Sequence, residues 1–197
     1  VFHLGNGASV AAIRGGQSVD TSMGMTPLEG LIMGTRCGDI DPAIIFYLGR
    51  VTGLSPDEIE ARLNKESGLR GICGAGDMRE VIGRKEAGDE QAALAHDMVA
   101  YRIKKYLGAY YAVLGRVDAV VFTAGIGENV HCIRAKVCEG LENLGIEFDP
   151  DKNTRRTDGI LEISRNSSRT KLLVIPTNEE LQIAELTAAC IEGRRIA

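Results

Sequence analysis

The stretch from Asp118 to Ala124 is almost wholly apolar and runs directly into Gly125-Ile126-Gly127-Glu128-Asn129. A run of that length without polar alternation, closed by glycines, is the pattern of a strand buried on both faces. A chain of 197 residues is long enough to supply the core that such a strand needs. Whatever else the sequence forms must therefore wrap a sheet.

The rest of the chain divides into short β-type runs and longer helical ones. Residues 1–4, 8–13 and 17–22 are predicted strands joined by Gly5-Asn6-Gly7 and Arg14-Gly15-Gly16, the glycine punctuation of hairpins. From Thr21 to Pro42 no periodicity is visible, and the mix of Met, Leu and Ile with Asp and Arg predicts an ordered loop. A helix is predicted from Pro42 to about Val51. Ser55-Pro56-Asp57-Glu58 is a capping box with proline at the first helical position, and Asp77-Met78-Arg79-Glu80 repeats the logic with an Asp cap. Between Asp89 and Leu114, the residues Met98, Val99, Ile103, Tyr106, Leu107, Tyr110, Tyr111 and Leu114 fall on one helical stripe, the tyrosines reading as core fillers. A helix over about 129–144, strands over 159–164 and 171–175, and a last helix over 178–192 complete a mixed α/β order without internal repeat or linker.

Composition removes several function classes. Net charge is −4 with both signs interspersed, so no basic tract marks a nucleic-acid or membrane partner. No apolar run approaches the roughly 20 residues that cross a bilayer. The five cysteines (Cys37, Cys73, Cys132, Cys138, Cys190) lack C-x-x-C spacing; they read as reduced core residues in a cytoplasmic protein. The chain begins at Val1, in mid-strand and without an initiator Met. It is expected to come from a longer protein and to carry half of a site.

The motifs each admit two readings. Gly74-Ala75-Gly76 and Gly125-Ile126-Gly127 are half-fingerprints of dinucleotide binding lacking the third glycine, and no P-loop pattern occurs. Gly5-Asn6-Gly7-Ala8-Ser9 is either an ordinary type I′ turn or a place where backbone amides and the Ser9 hydroxyl meet phosphate oxygens. His3 is either a core histidine or a donor to a phosphoryl group beside that turn. Arg36, within Gly34-Thr35-Arg36-Cys37-Gly38-Asp39-Ile40-Asp41-Pro42, either pairs with Asp39 or Asp41 to pin the loop or offers its planar donors to an anion. Gly125 to Asn129 lie where open α/β sheets bind ligands. Thr177-Asn178-Glu179-Glu180 either caps a helix or holds a hydrated magnesium ion.

Taken together, His3-Leu4-Gly5-Asn6-Gly7, Asp20-Thr21-Ser22-Met23-Gly24, Thr26-Pro27-Leu28-Glu29-Gly30-Leu31, Met33-Gly34-Thr35-Arg36, Gly38-Asp39-Ile40-Asp41-Pro42, Phe122 to Asn129 and Pro176 to Glu180 resemble the acetate kinase family in order and over essentially the whole chain. The resemblance implies a ribonuclease-H-like, actin-like ATPase domain, a mixed twisted sheet flanked by helices, with residues 1–197 as the C-terminal nucleotide-binding domain of a two-domain kinase. It further implies reversible transfer of the ATP γ-phosphoryl group to acetate, giving acetyl phosphate and ADP, with magnesium (or manganese) as cofactor and a homodimeric assembly.

Carried over position by position, His3, Leu4, Gly5, Asn6 and Gly7 would contact the nucleotide phosphates, with His3 and Arg36 catalytic at the transferring group. Asp77, Met78 and Arg79 would line the adenosine pocket, completed by Gly125, Ile126, Gly127, Glu128 and Asn129, and Glu179 would organise the metal. Cys37 stands where serine is usual in the family, and Met25 where an aromatic is common. Since the acetate pocket would come from the absent half, the fragment is expected to be inactive alone. The alternatives are half of a propionate or butyrate kinase, or a non-catalytic nucleotide-binding or dimerisation module.

Overall fold

The computed structural model of the chain describes residues 1–194. Strands β1 (Phe2–Leu4), β2 (Ala8–Arg14) and β3 (Gln17–Thr21) form an antiparallel meander. β4 (Ala119–Thr123) then enters parallel to β1, β6 (Lys171–Val174) lies parallel to β4, and the two-residue β5 (Leu161–Glu162) closes the edge antiparallel to β6. The sheet order is β3-β2-β1-β4-β6-β5. The register of β2 against β3 slips between Ala12 and Ile13.

Helices α1 (Ala43–Thr52), α2 (Pro56–Lys65), α3 (Gly68–Cys73), α4 (Met78–Glu86) and α5 (Glu90–Leu114) separate β3 from β4. α6 (Ala124–Asn129), α7 (His131–Cys138), a 3-10 turn (Glu142–Leu144), α8 (Pro150–Asn153) and α9 (Glu179–Ile191) follow. The caps are local chemistry. The Ser55 hydroxyl accepts from Glu58 N–H (3.3 Å) while the Glu58 carboxylate accepts from Ser55 N–H (2.8 Å). Asp89 accepts from Gln91 and Ala92 N–H to start α5, and Gly115, at φ 72°, ends it.

One core joins alternate strand residues (Phe2, Leu4, Val10, Val120, Phe122, Leu172) to Val99, Ile103 and Leu107 of α5 and Ile133 and Val137 of α7. Phe2 and Phe122 stack at 5.7 Å, each such ring contributing roughly 1.5–3 kcal/mol through burial. The loop between β3 and α1 is ordered, as expected, because Leu31, Ile32 and Met33 are buried beneath it. Asp39 pins it further: its carboxylate accepts from Gly30 N–H (2.8 Å) and Tyr106 O–H (2.9 Å). No helix among the described residues is long and apolar enough to cross a membrane.

Several expectations are corrected. β4 is buried on one face only: Val120 and Phe122 are enclosed, whereas Val121 and Thr123 are partly covered and Ala119 is exposed. The core helices pack against the side to which Val120 and Phe122 point. The helix expected over 129–144 is realised as α7 and the 3-10 turn, set apart from α6 by Val130, which leaves helical geometry, and from each other near Gly140, at φ 70°. α3 was not foreseen; it starts at Gly68 (φ 60°), where a Cβ would come within 2.2 Å of Met33 O. Met98 is exposed rather than part of the α5 stripe, and Cys190 is exposed rather than core. The Gly5-Asn6-Gly7 turn is not type I′, since none of its residues has positive φ. It is closed by Gly5 N–H donating to Gly7 O (3.0 Å).

Candidate active site

The parallel strands β1, β4 and β6 all end on the same side of the sheet, and there the chain turns into the Gly5-Asn6-Gly7 link, α6 and the α9 approach. A cleft of about 400 Å³ opens at that edge. One wall is Gly5 and Asn6 with Gly34, and another is Gly125, Ile126, Asn129 and Val130 around α6. Leu69, Gly76, Asp77, Met78 and Arg79, at the starts of α3 and α4, complete it.

The cleft is narrow where backbone meets backbone. Asn6 O accepts from Gly34 N–H (3.0 Å), and a Cβ on Gly34 would meet Asn6 Oδ1 at 2.1 Å and Gly76 O at 2.6 Å. Only glycine permits that approach. Asp77 caps α4 through Arg79 N–H (2.8 Å) and binds the Arg79 guanidinium at 2.5 Å. The side-chain hydrogen bond from Arg79 holds its carboxyl down at about 2. Met78 is buried at the cleft's base.

The β4–α6 corner is the strained element. Ala124 has φ 64°, the one non-glycine residue at positive φ among those described; such a conformation costs of order 1–3 kcal/mol and persists only where neighbours enforce it. Here Thr177 enforces it: its Oγ1 accepts from Ala124 N–H (3.0 Å) and lies 2.7 Å from Thr123 Oγ1. Below α6, Arg134 is 2% exposed and donates to Gly127 O (2.8 Å), Glu128 O (2.9 Å), Asn153 Oδ1 (2.8 Å) and Asn153 O (2.7 Å). Burial pulls its guanidinium below the ordinary arginine range.

Arg36 lies against the turn: a Cβ built on Gly7 would sit 3.7 Å from its Nη1. The hydrogen bonds of Arg36 among the described residues run from Nη1 to Pro27 O (3.3 Å) and Met33 Sδ (3.6 Å). Neither partner is a carboxylate. Asp39 sits instead beside Arg102 (3.6 Å), and Asp41 accepts from Ala43 N–H (2.9 Å) at the start of α1. The Arg36–Asp loop pair is thereby set aside, and a half-buried guanidinium faces the turn with no carboxylate paired to it among the described residues.

Of the expected nucleotide residues, the structure brings Gly5, Asn6, Asp77, Met78, Arg79, Gly125, Ile126 and Asn129 to the cleft. His3, Gly7 and Arg36 sit along the same strand ends but outside its lining. His3 alternates with buried Phe2 and Leu4 and is exposed, not a core histidine. Leu4 and Gly127 lie outside the lining and pack beneath it: a Cβ on Gly127 would touch Leu4 Cβ at 3.7 Å and Phe122 carbonyl carbon at 3.3 Å. Glu128 turns away, its carboxylate accepting from Thr177 N–H (2.9 Å). Glu179 opens α9 just beyond Thr177 and is exposed, and none of Gly7, Arg36, Gly127 and Glu179 lines this cleft. Asn178 caps that helix through Leu181 N–H (3.3 Å). Cys37 Sγ donates to Gly38 O (3.1 Å), and burial pushes its thiol up. Met25 is fully exposed.

Leu69, Gly34, Gly76 and Val130 line the cleft and were not among the candidates. A glycine at 34 between Met33 and Thr35 was the available signal. Thr177 and Arg134 carried none, because their partners are distant in sequence.

The antiparallel meander followed by parallel strands, with a cleft at the strand ends, defines a ribonuclease-H-like α/β domain of the actin-like ATPase class. The chain belongs to the acetokinase family, whose model matches residues 1–185. It is similar to acetate kinase of Syntrophobacter fumaroxidans, 57% identical over 196 residues that make up 100% of this chain and 48% of that protein. Among solved structures, acetate kinase of Porphyromonas gingivalis superposes with TM-score 0.92 at 46% identity, covering 96% of this chain and 48% of that one. A propionate kinase from Francisella tularensis superposes with TM-score 0.88 at 47% identity, covering 93% and 47%. The chain thus spans about half the length of the relatives it matches.

Proposed function

We propose that this chain is the nucleotide half of a carboxylate kinase, the C-terminal domain over residues 1–197 of a two-domain protein that transfers the ATP γ-phosphoryl group reversibly to acetate. The single observation that carries this reading is the Arg36 guanidinium, held against Gly7 beside a glycine-walled cleft with no carboxylate partner among the described residues. Adenosine would occupy the cleft between Met78 and Ile126, with the phosphates running past Gly5 and Asn6 toward Gly7, His3 and Arg36.

Acetate already carries the nucleophile, so the protein need not create one. A carboxylate oxygen attacks the γ-phosphorus, the bond from phosphorus to the β–γ bridging oxygen breaks, and the electron pair leaves on ADP. The work left is positioning and neutralising charge on the equatorial oxygens. Arg36 supplies planar paired donors and His3 a further one.

Glu179 fits a magnesium role, its exposed carboxylate engaging no partner among the described residues. Magnesium commonly takes one or two carboxylates along with phosphate oxygens, and when bound it supplies charge neutralisation there. Among the described residues no three His, Cys, Asp or Glu side chains gather as a complete metal cage, which agrees with a site shared with phosphates.

The test is formation of acyl phosphate from ATP and acetate by the full-length protein, trapped as the hydroxamate. Glu179→Gln is expected to raise the magnesium concentration for half-maximal rate about tenfold, with partial recovery at high magnesium. A full-length protein that makes no acyl phosphate from acetate, propionate or butyrate overturns the reading, and an unaltered metal titration removes Glu179 from it. The likeness to a propionate kinase keeps the longer acids in the assay.

A homodimer and a cytoplasmic setting belong to the same reading. The second is supported by five free thiols. The first is supported by α1, whose Ile44, Ile45, Phe46, Tyr47 and Val51 are all exposed and which buries no residue. Large apolar side chains exposed around most of a helix's circumference mark an association surface. Phe46→Glu with Val51→Glu should shift the full-length protein from dimer to monomer in size-exclusion chromatography with light scattering. An unchanged mass rules α1 out.

A further inference from the structure

We propose a second anion site, on the far side of α6 from the nucleotide cleft, that takes a small phosphate-type polyanion. A cavity of about 530 Å³ lies there, larger than the cleft itself. His131, Arg155 and Arg156 line it. His131 is held through its carbonyl, which accepts from Asn153 Nδ2 (2.9 Å), and Arg155 through its N–H, which donates to Lys152 O (3.1 Å). Neither the imidazole nor either guanidinium has a hydrogen-bond or ion-pair partner among the described residues.

A second, independent observation comes from beneath. Arg134, 2% exposed, forms part of the same lining, and all four of its acceptors are neutral oxygens. A buried cation without a counter-charge is costly unless an anion approaches it. Two carboxylates share the lining, Glu128 and Asp158. The Glu128 carboxylate accepts from Thr177 N–H and keeps its charge, so the lining sets two carboxylates against three guanidinium groups and an imidazole. Paired planar donors suit the several oxygens of phosphate or pyrophosphate. Asn129 lines both this cavity and the nucleotide cleft, so occupancy of one is felt by the wall of the other. The site stands whether or not the kinase reading does.

The probe is pyrophosphate, titrated calorimetrically into the full-length protein with and without saturating ADP, which separates this cavity from the cleft. Saturable binding at or below about 1 mM that persists with ADP present is expected. Arg155→Ala with Arg156→Ala should weaken it at least about tenfold, and Asp158→Asn, which removes one opposing charge, should tighten it about threefold. Melting temperatures matching wild type show that each variant is folded. Should the double variant fail to fold, Asp158→Asn decides alone. Binding abolished by ADP, binding indifferent to both variants, or no saturable binding overturns the proposal.

Discussion

An Arg36→Ala variant of the full-length protein should form acyl phosphate about 10³-fold more slowly than wild type, with the KM for magnesium-ATP changed only a few-fold. The asymmetry is the informative part. Arg36 lies against Gly7, outside the lining of the glycine-walled cleft, whereas Met78 and Ile126, where the base would be held, line it. Its charge would be felt chiefly as the γ-phosphoryl group separates from ADP, so its loss raises the barrier without loosening the ground state. The enzyme measured should be the full-length protein, and the readout is kcat and KM at saturating acetate. A turnover within tenfold of wild type would mean that the guanidinium is only a loop strut bonded to Pro27 O and Met33 Sδ.

The second large effect falls on stability. Arg134→Leu should lower the unfolding free energy by roughly 3 kcal/mol or more, because it leaves Gly127 O, Glu128 O and both oxygens of Asn153 without their donor. For a domain of this size that is a fall of about 6–12 °C in melting temperature. Since those carbonyls belong to α6, the variant should also weaken ADP binding in calorimetry before it unfolds. A melting temperature within about 2 °C of wild type would show that water replaces the guanidinium without cost. Either result bears directly on the cleft wall, because α6 has few other restraints beyond Thr177 and the Glu128 contact.

What could be read from the sequence was whatever its own neighbours decide. The Ser55–Glu58 box and the Asp77 cap were legible because donor and acceptor lie within one helical turn. The strand at Ala119–Thr123 was legible from its apolar run, but not its sidedness, which depends on α5 and α7 arriving on one face. Gly125 to Asn129 read as a ligand-binding corner between the strand and the helix after it. The residues are helical because Thr177 and Arg134, far along the chain, secure both ends. Arg36 showed the same limit. Locally it had Asp39 and Asp41 within reach, and only the fold revealed that Arg102 and Tyr106 take Asp39 for themselves. The cleft followed a like division: Gly5, Asn6 and the α4 start were named beforehand, while Gly34 and Gly76 became visible only once their backbones were seen to approach each other.

The margins of the sheet have a consequence for how copies of this molecule can meet. At one side β5 offers a ladder only two residues long, and at the other the slip between Ala12 and Ile13 interrupts the flat pairing next to β3. Neither border presents a long straight row of unused amides and carbonyls, the template on which strands of separate molecules stack into fibrils. Concentrated solutions of the domain are thereby steered away from sheet extension, and association is left to its helices.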